Sequence, residues 1–161
     1  MAVQPVPEGY HTLTPYLVVD DATAAIDFYK RAFGATERSR MEGPDGKIAH
    51  AELEIGDSII MLSDPFPMSS IKPPKEIGGT SASVFVYTGD TDGLYKQAID
   101  VGVTSVMAPE DMFWGDRFAT VTDPFGHVWN MATHIEDVEP DEMARRAEKW
   151  QAEMAASMSS S

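Results

Sequence analysis

The feature that most limits what this chain can fold into is an internal repeat of about 69 residues. Four landmarks of the first half recur in the second half, at shifts of 69, 68, 70 and 69 residues. These pairs are Asp21 and Asp90, Gly34 and Gly102, Gly56 and Gly126, and Ile60 and Trp129. The repeat predicts two copies of one structural module in a single folded body.

Each copy predicts a strand, a helix and three further strands, in the order βαβββ. A β-branched and aromatic stretch opens each copy, and an aspartate then caps a helix that ends at a glycine. Alternating apolar residues separated by Gly and Asp turns indicate the remaining strands. In the first copy the strands are predicted at 12–19, 36–41, 47–55 and 58–62, with the helix from 22. In the second copy they are predicted at 81–87, 104–108, 117–122 and 127–133, with a helix over 91–101.

The segments outside the repeats predict an N-terminal arm, a connector and a C-terminal helix. Residues 1–9 form the irregular arm, and module 1 covers 10–63. The connector, residues 64–80, holds four prolines and a Gly pair, so it is expected to lack regular structure. Module 2 covers 81–137. Residues 138–161 form a helix and tail that begin near Pro140, with one apolar face for the body or for a second subunit.

Charge and cysteine content exclude several classes of function. With 12 basic and 26 acidic residues the net charge is −14, which disfavours nucleic acid and anionic membrane surfaces as partners. The sequence shows no apolar run long enough to span a bilayer and no basic, apolar leader, so neither a membrane segment nor a secretory signal is expected. Because cysteine is absent, we expect a cytoplasmic protein whose metal ligands, if any, are His, Asp or Glu.

The two modules resemble the vicinal oxygen chelate superfamily, which includes glyoxalases, bleomycin resistance proteins and extradiol dioxygenases. Three stretches are similar to its PhnB-like, single-chain branch: GYHTLTPYLVVDDATAAIDFYKRAFGA, AHAELEIGDSIIMLSD and FWGDRFATVTDPFGHVWNMATH. The resemblance implies an α+β fold in which two βαβββ modules form paired half-open β-cups around a site. It also implies that the modules pair within a chain or across a homodimer.

Metal-dependent members of the superfamily place four His, Gln or Glu ligands on the first and last strands of the two modules. The resemblance maps these positions to Thr14, Met61, Ser83 and Asn130. These residues contribute little charge or basicity to a divalent ion. No metal or other cofactor is therefore expected, and these four residues are instead candidates for the wall of a binding cavity.

One pair of titratable residues keeps an alternative open. Strict alternation places His50 and Glu52 on one face of their strand, together with Ile48 and Glu54. A displaced site for one divalent metal, with His50 or Glu52 moving the proton, would make the protein a glyoxalase-type or dioxygenase-type enzyme. Without such a metal, His50 is a candidate ligand contact.

Aromatic residues supply the other candidate contacts. Phe113 and Trp114 lie in a loop over 111–117, where they either close the end of the fold, form a dimer contact or line the cavity. Arg117 in the same loop is a candidate for an anionic or carbonyl group, and Asp116 is expected to hold it. Tyr16 and Phe85 share faces with the former ligand positions, whereas Trp129 is expected in the core.

These observations favour a small-molecule binding protein of the bleomycin resistance type, with a hydrophobic or cationic ligand in the cups. A homodimer is the expected assembly. The metal-dependent enzyme is the alternative hypothesis, and a structural or regulatory protein without a ligand is the third. Bound metal would separate the first two.

Overall fold

The computed structural model describes residues 3–159, so the outermost two residues of the predicted arm and of the predicted tail lie outside the described part of the chain. The structure contains two four-stranded sheets. It confirms the α+β fold with a C-terminal helix, and it is consistent with two βαβββ modules. The twelve elements are β1 (Tyr16–Val18), α1 (Ala22–Phe33), β2 (Thr36–Glu42), β3 (Ile48–Ile55), β4 (Ser58–Ser63), α2 (Pro74–Ile77), β5 (Ser83–Tyr87), α3 (Thr91–Val101), β6 (Thr104–Asp111), β7 (Asp116–Thr122), β8 (Val128–His134) and α4 (Pro140–Ser159).

Both sheets have the same strand order. The first sheet is β1-β4-β3-β2 and the second is β5-β8-β7-β6, with a parallel pair at the β1 or β5 edge and antiparallel pairs elsewhere. The repeat extends to the helix ends. Asp21 and Asp90 are N-caps whose carboxylates accept backbone N–H bonds from Ala24 and Gly93, and both helices end at a left-handed glycine.

One face of each sheet packs against a helix, α1 in the first sheet and α3 in the second. We call the opposite face of each sheet the open face. In β5, Val84 and Val86 pack against the buried core, while Ser83, Phe85 and Tyr87 are exposed on the open face. The core itself joins both modules. Phe33 from α1 stacks on Trp129 from β8 with ring centroids 4.2 Å apart, and Trp129 is fully buried as expected.

The DPFGHVW stretch, residues 123–129, holds module 2 against α1 of module 1 through hydrogen bonds. The buried carboxylate of Asp123 accepts hydrogen bonds from the Tyr29 hydroxyl of α1 at 2.7 Å and from the Trp129 indole at 2.9 Å. Its other oxygen accepts the backbone N–H groups of Phe125 and His127, both at 2.9 Å. Burial and the nearby Asp123 raise the pKa of Tyr29 well above its ordinary value. The hydroxyl therefore keeps its proton and donates it in the hydrogen bond to Asp123. This turn therefore fixes how module 2 sits on α1.

Three expectations are corrected by the structure. The connector holds a short helix, α2, because Pro74 suits a first helical position and Gly78 ends the turn in a left-handed conformation. The first strand is shorter than the propensities predict and begins after Pro15. The predicted loop over 111–117 is also shorter, since β6 reaches Asp111 and β7 begins at Asp116.

A bulge corrects the predicted face of Ile48. Pairing of β2 with β3 runs from Met41 with His50 directly to Glu42 with Ile48, so Ala49 is an extra residue. A bulge shifts the side-chain alternation by one. Ile48 consequently lies in the core, while His50 and Glu52 keep a common face and lie 3.4 Å apart, measured from Nε2 to Oε1.

No helix among residues 3–159 combines the length and apolar character needed to cross a bilayer.

Candidate functional site

The open face of the second sheet carries a continuous row of aromatic rings. Phe85 lies 5.0 Å from Tyr87 and 5.8 Å from Phe118, measured between ring centroids. Phe118 lies 5.6 Å from Trp114, and Trp114 lies 5.0 Å from Phe113. We call these five residues the aromatic wall. Two of its members, Phe85 and Tyr87, are 48% and 66% exposed, which leaves ring surface free for a ligand.

The hairpin register explains why these rings meet. The Asp123–Gly126 turn sets Phe118 opposite Ala132 and Asp116 opposite His134, and β5 pairs Tyr87 with Ala132. Tyr87 and Phe118 thus flank the same residue of β8. Trp150 of α4 extends the row, with its ring 5.5 Å from Phe113. The predicted residues Phe85, Phe113 and Trp114 are brought together.

A buried carboxylate lies at the end of the aromatic wall. Asp116 is 3% exposed, and its Oδ2 accepts the Trp114 indole N–H at 3.0 Å and the Tyr87 hydroxyl at 3.3 Å. Its Oδ1 lies 2.8 Å from Nδ1 of His134. The other ring nitrogen of His134 lies 2.9 Å from Asp137.

Asp116, His134 and Asp137 form what we call the acidic cluster, and its electrostatics favour a positive charge. Hydrogen bonding to Asp137 and then to Asp116 raises the pKa of His134 above 6.5, because both carboxylates stabilise the imidazolium form. Desolvation and Asp116 raise the pKa of Tyr87, so its hydroxyl remains neutral. Even with His134 protonated, two carboxylates and one imidazolium leave a net negative charge at the end of the wall.

The structure does not place Arg117 with the aromatic wall. Its guanidinium instead pairs with Asp92 of α3 at 2.8 Å and with Asp111 of β6 at 3.2 Å. Adjacent strand residues point to opposite faces, which separates Arg117 from Asp116. Asp116 therefore does not hold Arg117, and it pairs with His134, Trp114 and Tyr87 instead.

Two of the residues that the resemblance maps to ligand positions meet in module 2. The Asn130 amide N–H donates to the Ser83 hydroxyl at 2.9 Å, and its carbonyl accepts the Thr120 hydroxyl at 2.9 Å. In module 1, Met61 pairs with Tyr16 in the parallel ladder, and its N–H donates to the Pro15 carbonyl next to Thr14. Tyr16 and Ser83 also line one groove of about 490 Å³, whose other wall is the connector with Ile71 and Ile77.

The open face of the first sheet holds the titratable pair. His50 and Glu52 lie together, and the ring of His50 lies 5.9 Å from that of Tyr16. Hydrogen bonding by the Tyr10 hydroxyl, followed by that of His50, lowers the pKa of Glu52. Glu52 and Met61 are register partners in β3 and β4, so Tyr16, His50, Glu52 and Met61 form one continuous surface.

Comparison with known proteins agrees with this geometry. The family model described as "Glyoxalase/Bleomycin resistance protein/Dioxygenase superfamily" matches residues 10–131. The chain belongs to this superfamily. An uncharacterized protein of Mycobacterium bovis is 43% identical over 134 residues, covering 81% of this chain and 88% of the relative. Protein YjdN of Escherichia coli is 29% identical over 148 residues, covering 73% and 91%.

Solved structures of the superfamily type share the fold. TioX from Micromonospora sp. ML1 superposes with a TM-score of 0.64 at 28% identity, covering 78% of this chain and 99% of TioX. A gene product of Arabidopsis thaliana gives 0.63 at 26% identity, covering 76% and 98%.

The four residues that the resemblance maps to metal-ligand positions are poor donors for a divalent metal. Asn130 already uses both ends of its amide, Met61 offers a soft thioether, and Thr14 and Ser83 are neutral hydroxyls. Across residues 3–159, no three His, Asp or Glu side chains lie close enough together to hold a metal ion.

Several site residues escape sequence analysis. Tyr87, Phe118 and His134 belong to the aromatic wall or the acidic cluster without having been predicted, and Asp116 was expected only as a partner of Arg117. A signal for Asp116 and His134 does exist in the sequence, since the Asp123–Gly126 turn implies a hairpin register in which these two face one another. Trp150 carries no such signal, because nothing local indicates where α4 docks.

Proposed function

We propose that the protein binds small molecules without transforming them, and that it holds an aromatic, positively charged molecule against the aromatic wall. The observation that carries this proposal is the buried Asp116 carboxylate at the end of a row of aromatic rings, of which Phe85 and Tyr87 are exposed. Aromatic faces attract flat ligands and cations. The net negative charge of the acidic cluster then selects cations over anions.

The partners of Asp116 make this arrangement a prepared site. The indole of Trp114 and the hydroxyl of Tyr87 hold one carboxylate oxygen in place, and His134 holds the other. A site whose charged group is already fixed loses little entropy on binding. A ligand cation near Asp116 would also displace some of the interaction with the His134 imidazolium, so affinity should increase as pH rises past the pKa of His134.

Thioflavin T, a cationic aromatic dye, provides a direct test through its fluorescence. Trp114→Ala should weaken its binding by about 1–3 kcal/mol, the range for loss of an aromatic contact at a binding hot spot. Arg117→Lys serves as the control, because Arg117 pairs with Asp92 and Asp111 and not with the aromatic wall and the variant keeps the charge, so it should leave the affinity unchanged. Equal affinities of the wild-type protein and Trp114→Ala would refute the proposed site.

Charge selectivity is tested with a second variant. Asp116→Asn keeps the shape of the side chain and removes its charge. It should weaken thioflavin T while leaving the uncharged dye Nile red bound with similar affinity. Equal loss for both dyes would show that Asp116 only maintains the structure, and the cationic part of the proposal would be wrong.

We further propose that the protein is a cytoplasmic homodimer in which a second copy covers the open faces. Within residues 3–159, β1 and β5 are edge strands, each paired with one other strand. Leu13, beside β1, is 86% exposed. Exposed apolar surface at free strand edges favours association. Sedimentation should give twice the chain mass, and Leu13→Asp should shift the protein toward monomer. A wild-type monomer at micromolar concentration would contradict the dimer.

A further inference from the structure

The first half of the C-terminal helix α4 is held firmly against the body. Gly115 has a φ of +96°, and a Cβ built there would collide with the carbonyl oxygen of Glu136. The Gly115 carbonyl oxygen accepts the backbone N–H groups of Ile135 and Glu136, at 2.9 and 3.0 Å. From α4 itself, the Arg146 guanidinium donates two hydrogen bonds of 2.8 Å to the Glu136 carboxylate. Such a bidentate pair fixes the geometry of the groups that it joins.

The second half of α4 is exposed and carries large apolar side chains. Residues 148–158 are all exposed, and Trp150, Met154 and Met158 are 39%, 45% and 79% exposed. The helix begins beyond residues 10–131, the range that matches the superfamily model. The shared fold therefore does not explain these side chains. Large apolar groups that share an exposed surface are typical of a site that binds another protein chain.

The spacing of the apolar residues on α4 indicates that the partner is also a helix. They follow one another at steps of four, three and four residues, and we call them the α4 stripe: Met143, Ala147, Trp150 and Met154. Alternating steps of three and four residues are those of the a and d positions of a coiled coil. In a coiled coil, these positions pack against the same positions of a second helix.

An antiparallel pair of two α4 helices gives this stripe complementary neighbours. When a positions lie opposite d positions, Ala147 lies opposite the partner's Trp150, and Met143 lies opposite the partner's Met154. A small residue then faces a large one, which lets the two layers interdigitate. A parallel pair would instead bring Trp150 against the partner's Trp150 and leave two alanines facing one another.

Charged residues beside the stripe favour the same orientation. Arg146 and Glu153 occupy the flanking g positions, and an antiparallel pair places Arg146 beside the partner's Glu153. The side chain of Glu153 is 65% exposed and lies 3.9 Å from Lys149 of its own helix, so it is accessible to a second cation. A parallel pair would put Arg146 beside the neutral Gln151 and Glu153 beside Met158. Opposite charges therefore select the antiparallel pair.

We propose that α4 joins two copies of this chain as an antiparallel helix pair; this inference rests on the homodimer proposed above and assigns a contact to it. The ring of Trp150 lies 5.5 Å from that of Phe113 in the aromatic wall. Helix α4 thus borders the open face of the second sheet. The helix pair and the covering of this face by a second copy are therefore contacts on the same side of the chain.

Two charge insertions on α4 test the contact by sedimentation equilibrium. Met154→Glu places a charge in the α4 stripe and should raise the dissociation constant of the dimer about tenfold or more, as expected for a residue at the centre of an interface. Ala152→Glu adds the same charge on the opposite side of the helix, where the residue is also exposed, and should leave the constant unchanged. Equal dissociation constants of the wild-type protein and Met154→Glu would assign the stripe to a different partner and overturn the proposal.

Crosslinking tests the orientation in the full-length chain, which contains no cysteine of its own. Ala144→Cys and Gln151→Cys lie at e positions outside the stripe, and an antiparallel pair brings residue 144 near residue 151 of the partner. A short bismaleimide should therefore link the two variants to each other in an equal mixture, with the linked peptides identified by mass spectrometry. Ala144→Cys alone is the control and should give little product. Absence of the mixed product would overturn the antiparallel pair.

The same mixture separates the α4 contact from the strand-edge contact at Leu13. A mixed product that persists when Leu13→Asp is added to both variants would support the α4 pair even if the strand edges do not hold the homodimer. A wild-type protein that sediments as a dimer but gives no mixed product would reject the α4 pair and leave the homodimer in place. A wild-type monomer without mixed product would reject both contacts.

Discussion

Asp123 offers the sharpest test of how the two modules are held together. Its carboxylate is 4% exposed and accepts four hydrogen bonds. Two of these come from side chains on the core, the Tyr29 hydroxyl and the Trp129 indole. The change Asp123→Asn preserves volume, but it turns an amide N–H₂ group toward these donors or toward the two backbone N–H groups.

The expected loss follows from the donors left without an acceptor. Asparagine has one carbonyl oxygen, so it can satisfy the backbone pair or the side-chain pair but not both. Each lost hydrogen bond to a charged acceptor is worth about 1.5–3 kcal/mol. Relief from burying a charge offsets part of this, so Asp123→Asn should lower the free energy of unfolding by about 2–4 kcal/mol. That is a large fraction of the stability of a domain this size.

Urea unfolding, followed by tryptophan fluorescence and far-ultraviolet circular dichroism, measures the loss. Tyr29→Phe removes only one donor and should cost less than Asp123→Asn. Asp45→Asn is the control, because Asp45 also lies in a turn between two strands but is exposed, and among residues 3–159 its carboxylate accepts the Lys47 backbone N–H alone. It should change the unfolding free energy by less than about 0.5 kcal/mol. A loss for Asp123→Asn no larger than that of Asp45→Asn would refute the reasoning.

Three further predictions concern pH and metals. His134 has a raised pKa, so its contribution to stability should be complete below pH 6.5 and should disappear as pH rises through the folded-state pKa. NMR titration should give a pKa above 6.5 for His134, and a value at or below 6.5 would contradict this prediction. Hydrogen bonds from Arg40 and Lys30 lower the pKa of Glu37 from 4.5 to about 2. The free energy of unfolding that is lost between pH 4.5 and 2 should therefore be smaller in Glu37→Gln than in the wild-type protein, and equal pH profiles of the two would contradict this pairing. Added Zn²⁺, Ni²⁺ or Mn²⁺ should leave the melting temperature unchanged, since the four superfamily positions lack basic donors; a stoichiometric metal that raises it would favour a displaced enzyme site around His50 and Glu52.

Local chemistry made much of this fold predictable. The caps at Asp21 and Asp90, the left-handed glycines at helix ends and the alternation in the strands all depend on residues within a few positions of one another. A repeat near 69 residues then implied two equivalent modules. The same local signals placed Trp129 in the core and Phe85 on the open face.

Tertiary structure alone decided what depends on distant partners. Tyr29 meets Asp123 across 94 residues of sequence, and no local pattern links them. The bulge at Ala49 separated Ile48 from His50, because strand pairing rather than alternation set their faces. Arg117 lies outside the candidate site because its guanidinium pairs with the carboxylates of Asp92 and Asp111. The neighbours of Tyr29, Ile48 and Arg117 depend on packing and charge between segments that are distant in sequence. Local patterns therefore determined the two modules, whereas the tertiary structure determined the sites.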